Sequence, residues 1–329
     1  MTVLITGGAG FVGLAIAEQL LAHGEDIVLF DTRQPPPHAL KQFGQAARPV
    51  VGDVTCADDI RRALAGCSID RIVHTAAITA GPQRERTDAR SIVDVNLNGT
   101  LNVLEQAHEH GGIRRLTMLS SVAVYGSSAP GPSGSYEEQS SCPSPASLYG
   151  ITKLASEQAA LHLGGLYDID VRVVRLGPVF GPWEHRSGAR DAMSPHLQIL
   201  DQALAGQEVV LPRPMAADWI YSRDAASGIV TVLFGQSLQR RIYNLGAGST
   251  TDLLEWCSHI ARHTGLRYRL AEAGEPASVA YNLKQDRPAL STAALAADTG
   301  FSARRELAAA ASEYLDWTRR LAALGEARP

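Results

Sequence analysis

The chain has 329 residues, 45% of them hydrophobic and 19% charged, the composition of a globular protein large enough for one big domain or two lobes. A formal net charge of −4 and a pI near 6.2 argue against a nucleic-acid-binding surface, and no stretch of about eighteen apolar residues offers a membrane span. The four cysteines, Cys56, Cys67, Cys142 and Cys257, form neither a Cys-x-x-Cys pair nor a ligand cluster with histidine, so free thiols, a cytoplasmic setting and no metal site are expected.

The opening MTVLITGGAGF lacks a secretory signal pattern and reads as a strand, 3–6, running into GGAGFVG. Gly7, Gly10 and Gly13 keep a Gly-x-x-Gly-x-x-Gly spacing, and Phe11 and Val12 open a helix over 11–23. Glycine permits the tight turn and lets backbone amides approach a pyrophosphate, while the helix N-terminus favours negative charge. A loop between the first strand and the first helix is the context a dinucleotide site requires. A second strand, 27–31, ends on Asp31, about twenty residues past the loop. A carboxylate there accepts hydrogen bonds from ribose hydroxyls and repels a 2′-phosphate, which favours NAD over NADP. Arg33 reads as a solvated loop charge. After a third strand at 49–51 come Asp53 and Val54; Asp53 either bonds an adenine amino group or caps the helix expected at 57–65.

The pattern continues with a strand at 71–76, a helix at 91–110, a strand at 116–120, a helix at 149–167 and a strand at 171–176. The Ser-, Pro- and Gly-rich stretch 127–147 joins a strand to a helix and reads as a loop beside a site. Apolar strands alternating with amphipathic helices predict an α/β fold with a doubly wound parallel sheet. Tyr149 and Lys153, four residues apart in a first helical turn, share one face. Read alone, that pair is either packing plus a solvated charge or a proton-transfer device. After Leu176 the alternation loosens, with a helix at 197–205, a strand at 241–245 and three helical stretches to the end. A dinucleotide-binding domain over 1–176, with 216–247 returning to it, and a smaller, mostly helical substrate lobe from 177–215 and 248–329 are expected. In the loop 183–191, WEHRSGARD, Arg186 and Arg190 either clamp a carboxylate or phosphate or are solvated charges. Arg84 and Arg86, beyond the fourth strand, are either gate residues or surface charges, and the second reading is preferred.

TGGAGFVG at 6–13, GDV at 52–54, HTAA at 74–77, Asn96, SSVAVYG at 120–126 and YGITK at 149–153 fall in order. In that set the chain resembles the extended short-chain dehydrogenase/reductases, in particular the NAD-dependent epimerase/dehydratase group that acts on sugars. The resemblance is close over roughly the first 180 residues and looser through DWIYSRDAA at 218–226 and YNLGAG at 243–248. It implies a Rossmann fold, NAD as cofactor and Tyr149 as acid and base. Lys153 tunes the tyrosine and bonds the nicotinamide ribose, and Ser121 bonds the substrate oxygen. Free tyrosine has a pKa of about 10, and a drop of about three units asks for roughly 4 kcal/mol from a nearby ammonium and the cofactor's charge. Ser120 competes with Ser121, and the spacing back from Val124-Tyr125-Gly126 favours Ser121. Asn96 either supports cofactor and active-site backbone or is structural; Ala76 and Ala77 let the nicotinamide approach the backbone.

Against that pattern, Pro178 in PVFGP stands where sugar-nucleotide enzymes of this group carry an asparagine, and Ala217 where they carry an arginine. Arg287 matches a further family arginine loosely. Val122 and Ala123 occupy the places of a dehydratase acid–base pair, which argues against dehydration. The expected function is reversible hydride transfer at a secondary alcohol of a sugar or sugar nucleotide, as in a 4-epimerase. The alternatives are an NAD-dependent dehydrogenase of a substrate without a nucleotide and a non-catalytic NAD-sensing protein. The helices at 91–110 and 149–167 resemble those that pair in the family's homodimers.

Overall fold

The computed structural model describes residues 1–281 and 285–323, so 282–284 and 324–329 of the expected second lobe lie outside the described residues. Its centre is a seven-stranded, all-parallel sheet. From edge to edge the strands are Ile242–Leu245, Asp170–Leu176, Arg115–Ser121, Ile69–His74, Thr2–Thr6, Asp26–Asp31 and Ala47–Val51. Side chains alternate along each strand, so Val3 and Ile5 enter one buried cluster and Leu4 enters the other. Helices Phe11–Ala22 and Ser222–Phe234 pack together over the first face; Ala57–Leu64, Gly99–His110 and Leu148–Leu166 cover the second. Burial on both faces explains why these strands read as continuous apolar runs.

From Thr2–Thr6 the chain winds outward to Ala47–Val51, then crosses back to Ile69–His74 on the other side. That reversal opens a crevice at the carboxyl ends of the strands, where ligands bind in open α/β sheets. Helix starts differ there. Ser147, Ser194 and Asp252 cap the helices Leu148–Leu166, Pro195–Leu204 and Leu253–Thr264 with side-chain oxygens. Phe11–Ala22 begins at Gly10 with no side-chain cap, so its first amides remain available to an anion.

The remaining lobe packs Pro195–Leu204, Leu253–Thr264 and Leu307–Ala323 around buried Trp256. Short strand pairs accompany these helices. Val209–Leu211 pairs with Tyr268–Leu270, and Val179–Phe180 with Ile220–Tyr221. Strands of two or three residues are too short to show a period. The strand expected at 71–76 stops at His74, where Thr75 turns its hydroxyl onto the Thr6 carbonyl at 2.7 Å. The helix expected at 91–110 starts at Ala89 and contains a π-turn, Asp94–Asn98. Pro37–Phe43 and Pro82–Thr87 add short helices above the crevice.

Candidate active site

The glycine loop is shaped by contacts that no larger residue tolerates. Gly7 has φ of +69°, and a Cβ there would lie 2.6 Å from Thr75 Oγ1. A Cβ on Gly13 would lie 2.2 Å from the Gly7 carbonyl oxygen, so the helix sits directly on the turn. The Ala9 amide donates to Asp31 Oδ2 at 3.1 Å, tying the loop to the end of the second strand. Burial pushes the Asp31 carboxyl up against the opposing pull of the Arg33 and Ala9 amides. Asp53 does not cap the next helix, whose N-cap is Cys56; its carboxylate accepts the Thr55 amide at 2.8 Å while the residue lines the cleft. Val54, Ala76, Phe11 and Val12 line the same cleft. Asn96 does not line it. Buried in the π-turn, it accepts from the Ile78 amide at 2.8 Å and donates to the Ile78 carbonyl and Thr152 Oγ1, both at 3.1 Å. It fixes the backbone that carries Ala76–Thr79.

One continuous cleft of about 1820 Å³ runs from this loop, past Asp31 and Asp53, to Ser121, Tyr149 and Lys153, and on to Pro178, Arg186, Arg190 and Arg287. Small-molecule pockets commonly hold about 300–1,000 Å³, so two ligands side by side fit better than one. Adjacent strand residues face opposite ways, and packing separates the two serines. Ser120 is buried and donates to Glu157, which is itself buried and pairs with Arg175 at 2.8 Å. Ser121 lies in the cleft, with its hydroxyl and that of Thr79 in hydrogen-bonding reach of the Tyr149 phenol.

Lys153 is 2% exposed, and burial lowers its pKa to about 8 although the Glu157 charge opposes this. His74 beneath it is held neutral, lowered to about 3 by burial and by the Lys153 charge. Its ring lies between Thr6 Oγ1 at 2.7 Å and Thr100 Oγ1 at 3.0 Å, a packing role rather than a chemical one. The Tyr149 phenol is pushed up by burial, and the forces opposing that are Ser121, Thr79 and the Arg190 guanidinium.

The loop 183–191 crosses the cleft as a strap. The Thr79 amide donates to the Ala189 carbonyl at 2.8 Å, and the Gly81 amide to Asp191 Oδ2 at 2.7 Å. Arg84 donates to the Gly188 carbonyl at 2.9 Å, so it belongs to the strap and is not a free surface charge. Arg33 lies under Gly188. Trp183 anchors the strap: it stacks on His38, with Phe43 tilted at 45° to it and Trp317 edge-on. Arg190 is held by Glu184 at 3.2 Å, whereas Arg186 is exposed on the cleft wall. Asp218, beside Pro178, accepts amides from Ala247, Gly248 and Leu290, and burial still raises it to about 6. Thr79, Tyr281, Glu157 and Glu184 carry no motif in the sequence; only folding brings them here. Among the described residues no cluster of His, Cys, Asp or Glu could hold a metal ion.

A glycine cradle, an uncapped helix start and a carboxylate at the second strand end fit a dinucleotide, and together with the sheet they define a nicotinamide-dependent α/β enzyme. The model of the NAD dependent epimerase/dehydratase family matches residues 3–246. The chain belongs to this family. It is 28% identical to a dTDP-L-rhamnose 4-epimerase of Burkholderia thailandensis, over 80% of this chain and 81% of that one. It is 29% identical to sterol demethylase protein B of Methylococcus capsulatus, over 82% of this chain and 77% of that one. Among solved structures, MoeE5 in complex with UDP-glucose and NAD aligns with a TM-score of 0.77 at 26% identity, covering 97% of this chain and 99% of that one. The protein is an NAD-dependent enzyme of the extended short-chain dehydrogenase/reductase type.

Proposed function

We propose that the protein is a 4-epimerase-like enzyme that transfers hydride reversibly at a secondary alcohol of a sugar nucleotide. The observation that carries this reading is the meeting of Tyr149, Ser121 and Lys153 at the middle of a cleft with room for a second ligand beyond the cofactor. In this reading Tyr149 takes the hydroxyl proton and returns it, and Ser121 holds the substrate oxygen as charge develops on it. Lys153 would hold the cofactor's ribose and supply positive charge there. The Gly7–Gly13 amides would hold the pyrophosphate, Asp31 the adenosine ribose, Asp53 and Val54 the adenine end, and Ala76 the nicotinamide side. When bound, NAD accepts the hydride and gives it back. The second lobe, with Pro178, Arg186 and Arg287 on the cleft wall, would receive the substrate. Val122 and Ala123 line the cleft without an acid or base, which supports epimerisation over dehydration.

A second reading rests on Pro178 and Ala217, which offer neither the amide nor the guanidinium expected for a diphosphate: a dehydrogenase of an alcohol without a nucleotide. Incubation with UDP-glucose, UDP-glucuronate and dTDP-sugars, followed by NMR for the C4 epimer, tests both. Epimer without accumulated reduced cofactor supports the first reading. Reduced cofactor with a free sugar or sugar acid, and no turnover of any nucleotide sugar, replaces it with the second.

The free thiols and the absence, among the described residues, of a helix able to cross a membrane support a cytoplasmic location. Ile151 and Leu166, 50% and 66% exposed, lie on one face of Leu148–Leu166, which supports a homodimer through that helix. Ile151→Glu with Leu166→Lys should then give monomers by light scattering; a wild-type monomer removes the dimer from the proposal.

A further inference from the structure

Tyr149 stands at the second position of its helix, where a backbone amide has no partner inside the helix. Ser147 caps the helix by accepting the Gly150 amide at 3.1 Å, and the Tyr149 amide donates instead to Glu85 Oε1 at 3.3 Å. That carboxylate comes from the short helix Pro82–Thr87, 64 residues earlier in the chain. The contact holds Glu85, half-buried, in the wall of the cleft beside the reacting tyrosine. Its second oxygen, Oε2, meets no donor among the described residues. A carboxylate has about four acceptor sites, so most of the capacity of Glu85 is unspent.

The charges around it are accounted for differently. Arg84 lies on the Gly188 carbonyl and Asp191, and Arg190 on Glu184. Lys153 is buried below the cleft wall. Arg186 and Arg287, which meet no carboxylate among the described residues, belong to the strap and the C-terminal segment. Val122, Ala123, Ser127 and Ala146, which also line the cleft, carry no charge. The exposed charge tied to the backbone of Tyr149 is therefore negative and has no cation beside it to neutralise it.

We propose that Glu85 is a specificity-determining residue: it accepts hydroxyls of the sugar that reacts at Tyr149 and turns away a sugar that carries its own carboxylate. The inference rests on the reading of Tyr149 and Ser121 as the site of hydride transfer, and it narrows the substrate to an uncharged hexosyl or deoxyhexosyl nucleotide. In a hexopyranose the carbon next to C4 bears the C6 group, which in a uronate is a carboxylate. Reaction at C4 would bring the two anions within about one sugar ring of each other, where like charges repel and more strongly as water is excluded. A hydroxyl in the same place donates to Glu85, a charge-assisted bond. Service as a helix cap needs an acceptor but no charge, and that difference makes the inference testable.

The test compares UDP-glucose with UDP-glucuronate, by calorimetric titration into the NAD-loaded full chain and by epimer formation, in the wild type, Glu85→Gln and Glu85→Ala. Glutamine keeps an acceptor for the Tyr149 amide and removes the charge, so the thermal midpoint should hold. The wild type should favour UDP-glucose by ~tenfold or more, and Glu85→Gln should erase most of that ratio by admitting UDP-glucuronate. Glu85→Ala should erase it too, with weaker binding of UDP-glucose. A ratio unchanged in both variants, or a wild type that prefers UDP-glucuronate, overturns the inference; normal epimer formation beside it leaves the reaction standing. A ratio that collapses in a protein that binds both sugars and forms no epimer supports Glu85 and refutes the reaction proposed above. Binding of neither nucleotide sugar overturns both.

Discussion

At the scale of single residues, chemistry and stability pull against each other at Lys153. Its folded pKa of about 8 lies below that of a free lysine, so the unfolded chain binds more protons between about pH 8 and pH 10. Stability contributed by this site therefore rises as pH climbs through that window, and at neutral pH the buried ammonium costs on the order of 3 kcal/mol. Lys153→Met should raise the thermal midpoint of the ligand-free protein at pH 7, with the gain shrinking towards pH 10, and should abolish turnover. A midpoint that falls instead would mean that Lys153 is a structural ion-pair partner. Tyr149→Phe should keep NAD affinity while turnover falls by about 10²–10⁴-fold, measured by isothermal titration beside the epimer assay. The lysine's burial is not legible in spacing, whereas the spacing back from Val124-Tyr125-Gly126 favours Ser121 over Ser120. The packing that separates the two serines comes from buried Glu157, one turn beyond Lys153, which takes Ser120 as its donor.

Among the elements, the strap 183–191 lies across the cleft. It is joined to the 79–84 segment by backbone pairing, by the Gly81 amide on Asp191 and by Arg84 on Gly188 and Asp191. Each such hydrogen bond is worth about 0.5–1.5 kcal/mol net. Arg84→Ala combined with Asp191→Asn should therefore speed NAD release by roughly tenfold, followed by stopped-flow displacement with an NAD analogue. An unchanged release rate would show that the strap does not gate the cofactor. In the sequence Arg84, Arg186 and Arg190 look alike, three arginines in polar loops. Their separate places appear only when the strap is laid across the cleft, because Arg84 meets the Gly188 carbonyl, 104 residues on, and Arg190 lies over Phe11 of the glycine loop. The glycine loop is the opposite case: turn, helix start and acidic partner are local in the chain and legible there.

For the whole molecule, buried titratable groups set the acid stability. His74 is lowered to about 3 and His196 well below its ordinary value, both by burial. The unfolded chain binds their protons first as pH falls below about 6.5, so their contribution to stability is complete above that value and is lost on acidification. Asp218, raised to about 6, works with the opposite sign, favouring the fold at low pH and losing that contribution as pH rises through about 6. Two histidines outweigh one aspartate, and the thermal midpoint should rise from about pH 4 to neutrality. His196 stacks on Phe180 with an unpartnered Nδ1. His196→Phe should flatten that rise, seen by calorimetry across the range; an unchanged slope would assign the effect to other groups.

The glycine spacing, the acidic strand end, the alternation of strand and helix and the Tyr149–Lys153 pair are written within stretches of a few residues to a few tens. Local backbone geometry makes such patterns periodic or fixed in spacing, and the dinucleotide-binding half is legible for that reason. The edge position of strand Ile242–Leu245, the strap, the pairing of Ser120 with Glu157, Asn96 on the Ile78 backbone and Arg190 beside Thr79 depend on contacts between distant segments. No period or spacing encodes these contacts, because each is selected by the packing of two faces that meet only when the sheet has formed and the second lobe has closed over it.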